Sequence, residues 1–148
     1  MTFQYSPKQV SISENSTLNI LEISANKAIQ GWGSALLTQG LSIVYASALP
    51  TGKVIYEYVV QGSHANGLGN LHGGCTATLF DYCTSTALIP ISKPGFWMFL
   101  GVSRTLNVTY IRPIPIGEVV LIENEVVHAG KRMCKFSKPF PCKVLMNM

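Results

Sequence analysis

The residues that could do chemistry lie between His64 and Asp81. Gly73 and Gly74 stand where a glycine-rich loop gives way to a run free of Gly and Pro until Pro90. Such a run predicts a helix, and a helix N-terminus presents unpaired backbone N–H groups and the positive end of the dipole. With no side chain at Gly73, a ligand oxygen can approach its N–H closely, as an oxyanion hole requires. Asp81 is the lone carboxylate on this otherwise apolar run. A carboxylate in apolar surroundings is costly without a partner, so Asp81 is expected to be buried and either functional or tightly hydrogen-bonded. As a base it could activate a water; as a nucleophile it could attack an acyl carbon directly. Eight helical residues put Asp81 about 12 Å along the axis from Gly73, whereas attacking and attacked atoms must come within about 3 Å. One helix therefore does not serve one substrate with both groups. The spacing predicts a composite site, with Gly73 from one copy and Asp81 from its neighbour.

The elements that must position these groups follow from patterning. Residues 41–48 and 53–61 read as strands joined by the turn Pro50-Thr51-Gly52, with Val54, Tyr56, Tyr58 and Val60 alternating against Ile55, Glu57 and Val59. Residues 75–89 predict a helix of about four turns; Leu79, Cys83 and Ala87 share one face, which Phe80 and Leu88 widen. A helix apolar almost all round is expected to be buried. Three further strand-like runs follow at 98–111, 118–128 and 131–137. Strand, strand, buried helix and three strands favour an α+β class, an antiparallel sheet wrapped around one helix. Residues 1–39 form an N-terminal segment with a helical pattern over 16–37, capped by Asn15 or Ser16 and interrupted by Gly31 and Gly33. Residues 40–148 form the main domain.

Composition narrows the function classes. The 148 residues are 47% hydrophobic and only 12% charged, apolar for a lone globular domain. Since spanning helices need about 20 mostly apolar residues and the candidates carry Gln39, Gly40 or Asp81, the excess predicts a homodimer or homotetramer rather than a membrane span. No secretory signal is visible over residues 1–10. Four cysteines without CxxC spacing then suggest reduced thiols in a cytoplasmic setting. A net charge of +4 suits a phosphate-bearing small molecule but lacks the basic stripe of a nucleic-acid binder. No His, Cys and carboxylate cluster has metal-ligand spacing. Gly67-Leu-Gly69 lacks the full dinucleotide fingerprint. Cys75 and Cys83 read as core fillers, and His64 and His128 as surface residues.

The stretch from His64 to Asp81 (HANGLGNLHGGCTATLFD), with Ser47 to Ile55, Gly101 to Tyr110 and Arg112 to Gly117, resembles the hotdog-fold acyl-CoA thioesterase superfamily. The nearest branches are the phenylacetate-pathway type and the thioesterase superfamily member 2 type. The resemblance runs over residues 40–136. It implies a hotdog fold and hydrolysis of an acyl thioester carried by coenzyme A or an acyl-carrier protein, with no cofactor beyond the coenzyme A of the substrate. It further implies that Asn66 and the Gly73 N–H polarise the thioester carbonyl, beside Gly74. Asp81 becomes the base or nucleophile, Ser103 orients the attacking water and His72 shapes the turn. Arg112, Lys131 and Arg132 fall where such enzymes meet the coenzyme A phosphates. Members of the family run on through a further strand inside the sheet. Here Lys138-Pro139-Phe140-Pro141 offers two residues that cannot donate ladder hydrogen bonds, leaving residues 142–146 as a strand stub. That departure raises the alternative of a non-catalytic acyl-thioester-binding or scaffold protein. A hydratase or dehydratase on the same fold would carry His-Phe-Pro or Asp-x-Asn-Pro-x-His, and neither is present.

Overall fold

The structure, a computed structural model, describes residues 31–137 and 144–145. The 16–37 pattern lies largely outside these residues; at its end a short helix α1 spans Ser34–Thr38, entered through Gly33 at φ +82°. The hairpin forms as patterned, with β1 at Leu41–Ser47 and β2 at Lys53–Val59. Their antiparallel register carries an irregularity between Ile43 and Tyr45. Next comes a short 3-10 turn, Gly62–His64, and then the long helix α2, Gly73–Thr86. After the loops come β3 at Val119–Ala129, β4 at Cys134–Ser137 and β5 at Val144–Leu145. The strand order is β1-β2-β3-β4, with β5 beside β3. The stub expected near the end of the chain therefore does pair, over two residue pairs.

The core lies between the sheet and α2. In the β2–β3 register Val54 faces Asn124, Tyr56 faces Ile122 and Tyr58 faces Val120, all buried. Two strands of period two thus present one continuous face. Against it α2 buries Leu79 and Cys83, and the turn beyond its end buries Ala87 and Leu88, the face read from the sequence. Burying a leucine side chain fully stabilises a fold by about 1.5–3 kcal/mol. The Tyr56 hydroxyl reaches Thr86 Oγ1 at 2.6 Å, so the ring is buried without stranding its oxygen. Burial holds the Tyr56 phenol well above its ordinary range, with the Cys83 sulfur beside it adding to the rise and the Thr86 bond opposing it.

Two expectations fail. Residues 98–111 form no strand. Most of their apolar side chains stand in the open, Val102 at 90% and Ile111 at 64% exposure, while Leu100 packs against the edge of the core. A strand exists only as a member of a pair; this segment runs along the flank of α2 instead of along a sheet edge, so its alternation finds no ladder. The second failure is the all-round burial of α2. One face is buried, while Gly74 and Asp81 are exposed on the other.

Candidate active site

The site begins with a small hairpin that delivers the chain into α2. Ala65 and Leu71 bridge antiparallel. The His72 N–H donates to the His64 carbonyl at 2.9 Å and the Asn66 N–H to the Asn70 carbonyl at 2.7 Å. The Asn66 side chain closes the tip: Oδ1 accepts the backbone N–H groups of Leu68 (2.9 Å) and Asn70 (3.2 Å). An Asx turn of this kind fixes the carboxamide plane, leaving Nδ2 as its donor. The hairpin is tied to the 114–116 segment by Leu71 N–H to Ile114 O (2.8 Å) and Ile116 N–H to Gly69 O (3.0 Å).

His72 caps α2. Its Nδ1 accepts the Gly74 N–H at 3.0 Å, so the neutral ring carries its proton on Nε2. A Cβ at Gly74 would meet that Nδ1 at 3.1 Å, so the missing side chain is what admits the cap. This bond commits the Gly74 N–H. The Gly73 N–H, by contrast, makes no hydrogen bond among the described residues and is the open donor at the positive end of the helix. Of the two glycines read from the sequence, Gly73 is the one free to receive an oxyanion.

At the far end of the same helix flank, Ser103 Oγ donates a hydrogen bond to Asp81 Oδ1. Asp81 was expected to be buried; it is exposed in the single chain, because the segment that crosses it is itself open to solvent. Ser103 and Asp81 are nevertheless together, while Gly73 and Asn66 sit at the other end of α2. Sequence reasoning missed Tyr110, whose hydroxyl donates to the Gly73 carbonyl at 3.0 Å. Its ring stands 3.5 Å from where a Gly73 Cβ would lie. The extended segment thus runs antiparallel to α2, from Ser103 beside Asp81 to Tyr110 beside Gly73. Alternation could place Tyr110 on one face of a presumed strand, but could not show what that face meets.

The cations divide. Lys131 and Arg132 line an open cleft of about 300 Å³ opposite the 95–100 loop, where Trp97 Nε1 donates to the Gly130 carbonyl at 2.8 Å. Arg112 is exposed and does not line this cleft. His128 is exposed, as read; His64 is 6% exposed, against the surface position expected of it. Burial lowers the His64 pKa from its ordinary value and raises those of the Cys75 and Cys134 thiols. Among the described residues no disulfide forms, no group of His, Cys, Asp and Glu is placed to hold a metal ion, and no helix is long and apolar enough to cross a membrane.

One helix cradled by an antiparallel sheet, with an open amide where that helix begins and a serine-held carboxylate two turns on, defines a hotdog-type α+β protein. Residues 68–137 match the model of the thioesterase superfamily. The crystal structure of zebra fish thioesterase superfamily member 2 superposes with a TM-score of 0.66 at 30% identity, covering 86% of this chain and 90% of that one. This chain belongs to the thioesterase superfamily. Acyl-coenzyme A thioesterase 13 of Homo sapiens is 41% identical over 91 residues, which make up 62% of this chain and 61% of that protein, so the match spans under two thirds of the relative's length. A hypothetical thioesterase of Streptococcus pneumoniae, solved with coenzyme A, superposes at a TM-score of 0.57 and 26% identity, covering 67% of this chain and 73% of that one.

Proposed function

We propose that the protein hydrolyses an acyl thioester of coenzyme A to the free acid and thiol. The observation that carries this reading is the division of labour along α2: an uncommitted Gly73 N–H at its start and the Ser103–Asp81 pair at its flank. The Gly73 amide and Asn66 Nδ2 take up the charge that develops on the thioester oxygen; a preorganised donor of this kind is worth about 2.7–4 kcal/mol in the transition state. Asp81, a carboxylate open to solvent in the single chain, either removes a proton from the attacking water or attacks the carbonyl carbon itself. Ser103 aims it: with its hydroxyl proton given to Oδ1, the Ser103 oxygen can accept from the same water. His72 holds the turn that leaves Gly73 open, and Gly74 admits the cap. Lys131 and Arg132, with Arg112 from outside the cleft, meet the phosphates of coenzyme A.

Gly73 and Asp81 of one chain stand about 12 Å apart along the helix axis, so the reacting pair comes from two copies. The exposed apolar side chains that flank Ser103, among them Phe99, Val102 and Tyr110, supply the surface for that second copy. Covering them would also desolvate Asp81 and strengthen each electrostatic contact in the site. The working form is therefore a homodimer or a dimer of dimers. A carrier-protein thioester presents the same carbonyl, but the cations of the cleft favour coenzyme A, with its added nucleotide phosphates.

The test is hydrolysis across a panel of acyl-CoAs that differ in chain length and aromaticity. Asp81→Asn is expected to lower kcat by at least about 100-fold while circular dichroism and oligomer mass stay as in the wild type. Undiminished turnover in that variant would remove Asp81 from the mechanism. Coenzyme A binding without hydrolysis of any acyl group would replace the reading with a non-catalytic one.

A further inference from the structure

The hairpin that carries Asn66 and His72 buries two side chains that the mechanism does not use, apolar Leu71 and, at its base, a histidine. His64 lies at the base of the hairpin, 6% exposed. Its Nδ1 is 2.7 Å from the hydroxyl of Tyr58 on β2, so the two rings lie end to end, their centroids 6.3 Å apart and their planes inclined by 28°. Tyr58 is itself fully buried. The other ring nitrogen, Nε2, is buried without a hydrogen-bond partner among the described residues. An orphaned buried polar atom costs about 1–3 kcal/mol, so an apolar side chain would fill this position more cheaply. What the imidazole alone supplies is the bond to Tyr58. The backbone of the same residue is also committed: the His64 carbonyl accepts the His72 N–H at 2.9 Å, and Gly73 is the next residue.

We infer that His64 is a positioning residue for the oxyanion site, clamped to the sheet by Tyr58 so that its carbonyl fixes His72 and, through it, the direction of the Gly73 N–H. The inference rests on the proposed role of Gly73 and deepens it. The chain of contacts is short and continuous: Tyr58 hydroxyl, His64 ring, His64 carbonyl, His72 amide, Gly73 amide. It starts on a strand locked in register between β1 and β3, so the reference frame is rigid. Ser63 and Ala65, on either side of His64, offer no other side-chain tie to the sheet: Ser63 reaches Gln39 at 3.4 Å. A shift of the hairpin base by a fraction of an ångström redirects the amide without touching substrate. The effect therefore falls on the transition state rather than on ground-state binding.

The experiment compares His64→Leu, His64→Asn and Tyr58→Phe in the intact protein. Asparagine can place a polar atom near the position of Nδ1 and so keep the Tyr58 bond; leucine keeps only volume. His64→Leu is expected to lower kcat by about tenfold or more with KM changed less than about twofold; His64→Asn restores most of that loss, and Tyr58→Phe reproduces it. If His64→Leu fails to fold, Tyr58→Phe, which removes one oxygen, carries the comparison. In parallel, the Gly73 amide is followed by nitrogen–proton correlation NMR: it shifts in His64→Leu and Tyr58→Phe and returns in His64→Asn. Equal losses in the leucine and asparagine variants, or no change of kcat in Tyr58→Phe, overturn the positioning role. Should the wild type hydrolyse no thioester, the proposed activity fails on its own. The amide signal then decides the structural claim, an unmoved Gly73 resonance in the leucine and phenylalanine variants refuting it.

Discussion

Two stretches of this chain carry the same written pattern and meet different fates. Over residues 53–60 Val54, Tyr56, Tyr58 and Val60 alternate with less buried neighbours, and the alternation becomes a buried face because β1 and β3 lie in register on either side. Over residues 98–111 a similarly apolar run becomes neither strand nor core, and its largest side chains face solvent. The difference is not propensity but partnership. β3 has one edge taken by β2 and the other shared by β4 and β5; the 98–111 segment lies across α2, held by Ser103 at Asp81 and Tyr110 at Gly73. One region is finished within a single chain, and the other is arranged as if to be finished by a second.

The comparison can be broken from its stable side first. Leu79 is 1% exposed where α2 meets the sheet, and Leu79→Ala is expected to cost about 2–5 kcal/mol in denaturant unfolding. A loss below about 1 kcal/mol would mean that helix and sheet do not share one core. On the open side, Val102 has almost no buried surface to lose within its own chain. Val102→Asn is expected to change the stability of the separated chain by no more than about 0.5 kcal/mol, yet to move sedimentation toward the smaller species and to lower turnover with it. Unchanged mass and turnover would show that residues 98–111 are not an interface.

Much of this architecture was legible in the sequence. The period-two run from Val54 to Val60 and the helical face of Leu79, Cys83 and Ala87 appear in the structure as the buried surfaces they implied, because each is a local pattern that its neighbours reinforce. The start of α2 at Gly73 was legible from the loop-to-helix transition. The nearness of Ser103 to Asp81 was not, since no spacing links residues 22 positions apart; only the resemblance joined them. Asp81 was read as buried because a lone carboxylate among apolar residues suggests an apolar setting. The helix in fact has an open flank, and sequence alone does not show which flank a sheet will cover. His64 was misread in the opposite sense. A polar residue beside glycines and serine looks exposed, and nothing local announces that its ring turns inward to Tyr58. The segment 98–111 was misread as strand because alternation states what a chain could pair with and not whether anything stands beside it.

The most direct test of the composite site mixes two inactive proteins. Asp81→Asn removes the carboxylate. Gly73→Pro removes the Gly73 N–H at the first helical position, where proline is well accepted; the preceding His72 already holds the extended ψ of 136° that a following proline favours. If Gly73 and Asp81 act across two copies, chains of the two variants exchanged by mild unfolding and refolding regain about a quarter of wild-type hydrolysis, since half the dimers are mixed and each mixed dimer holds one intact site. If mixing restores nothing while mixed dimers form, both groups act within one chain and the account is wrong.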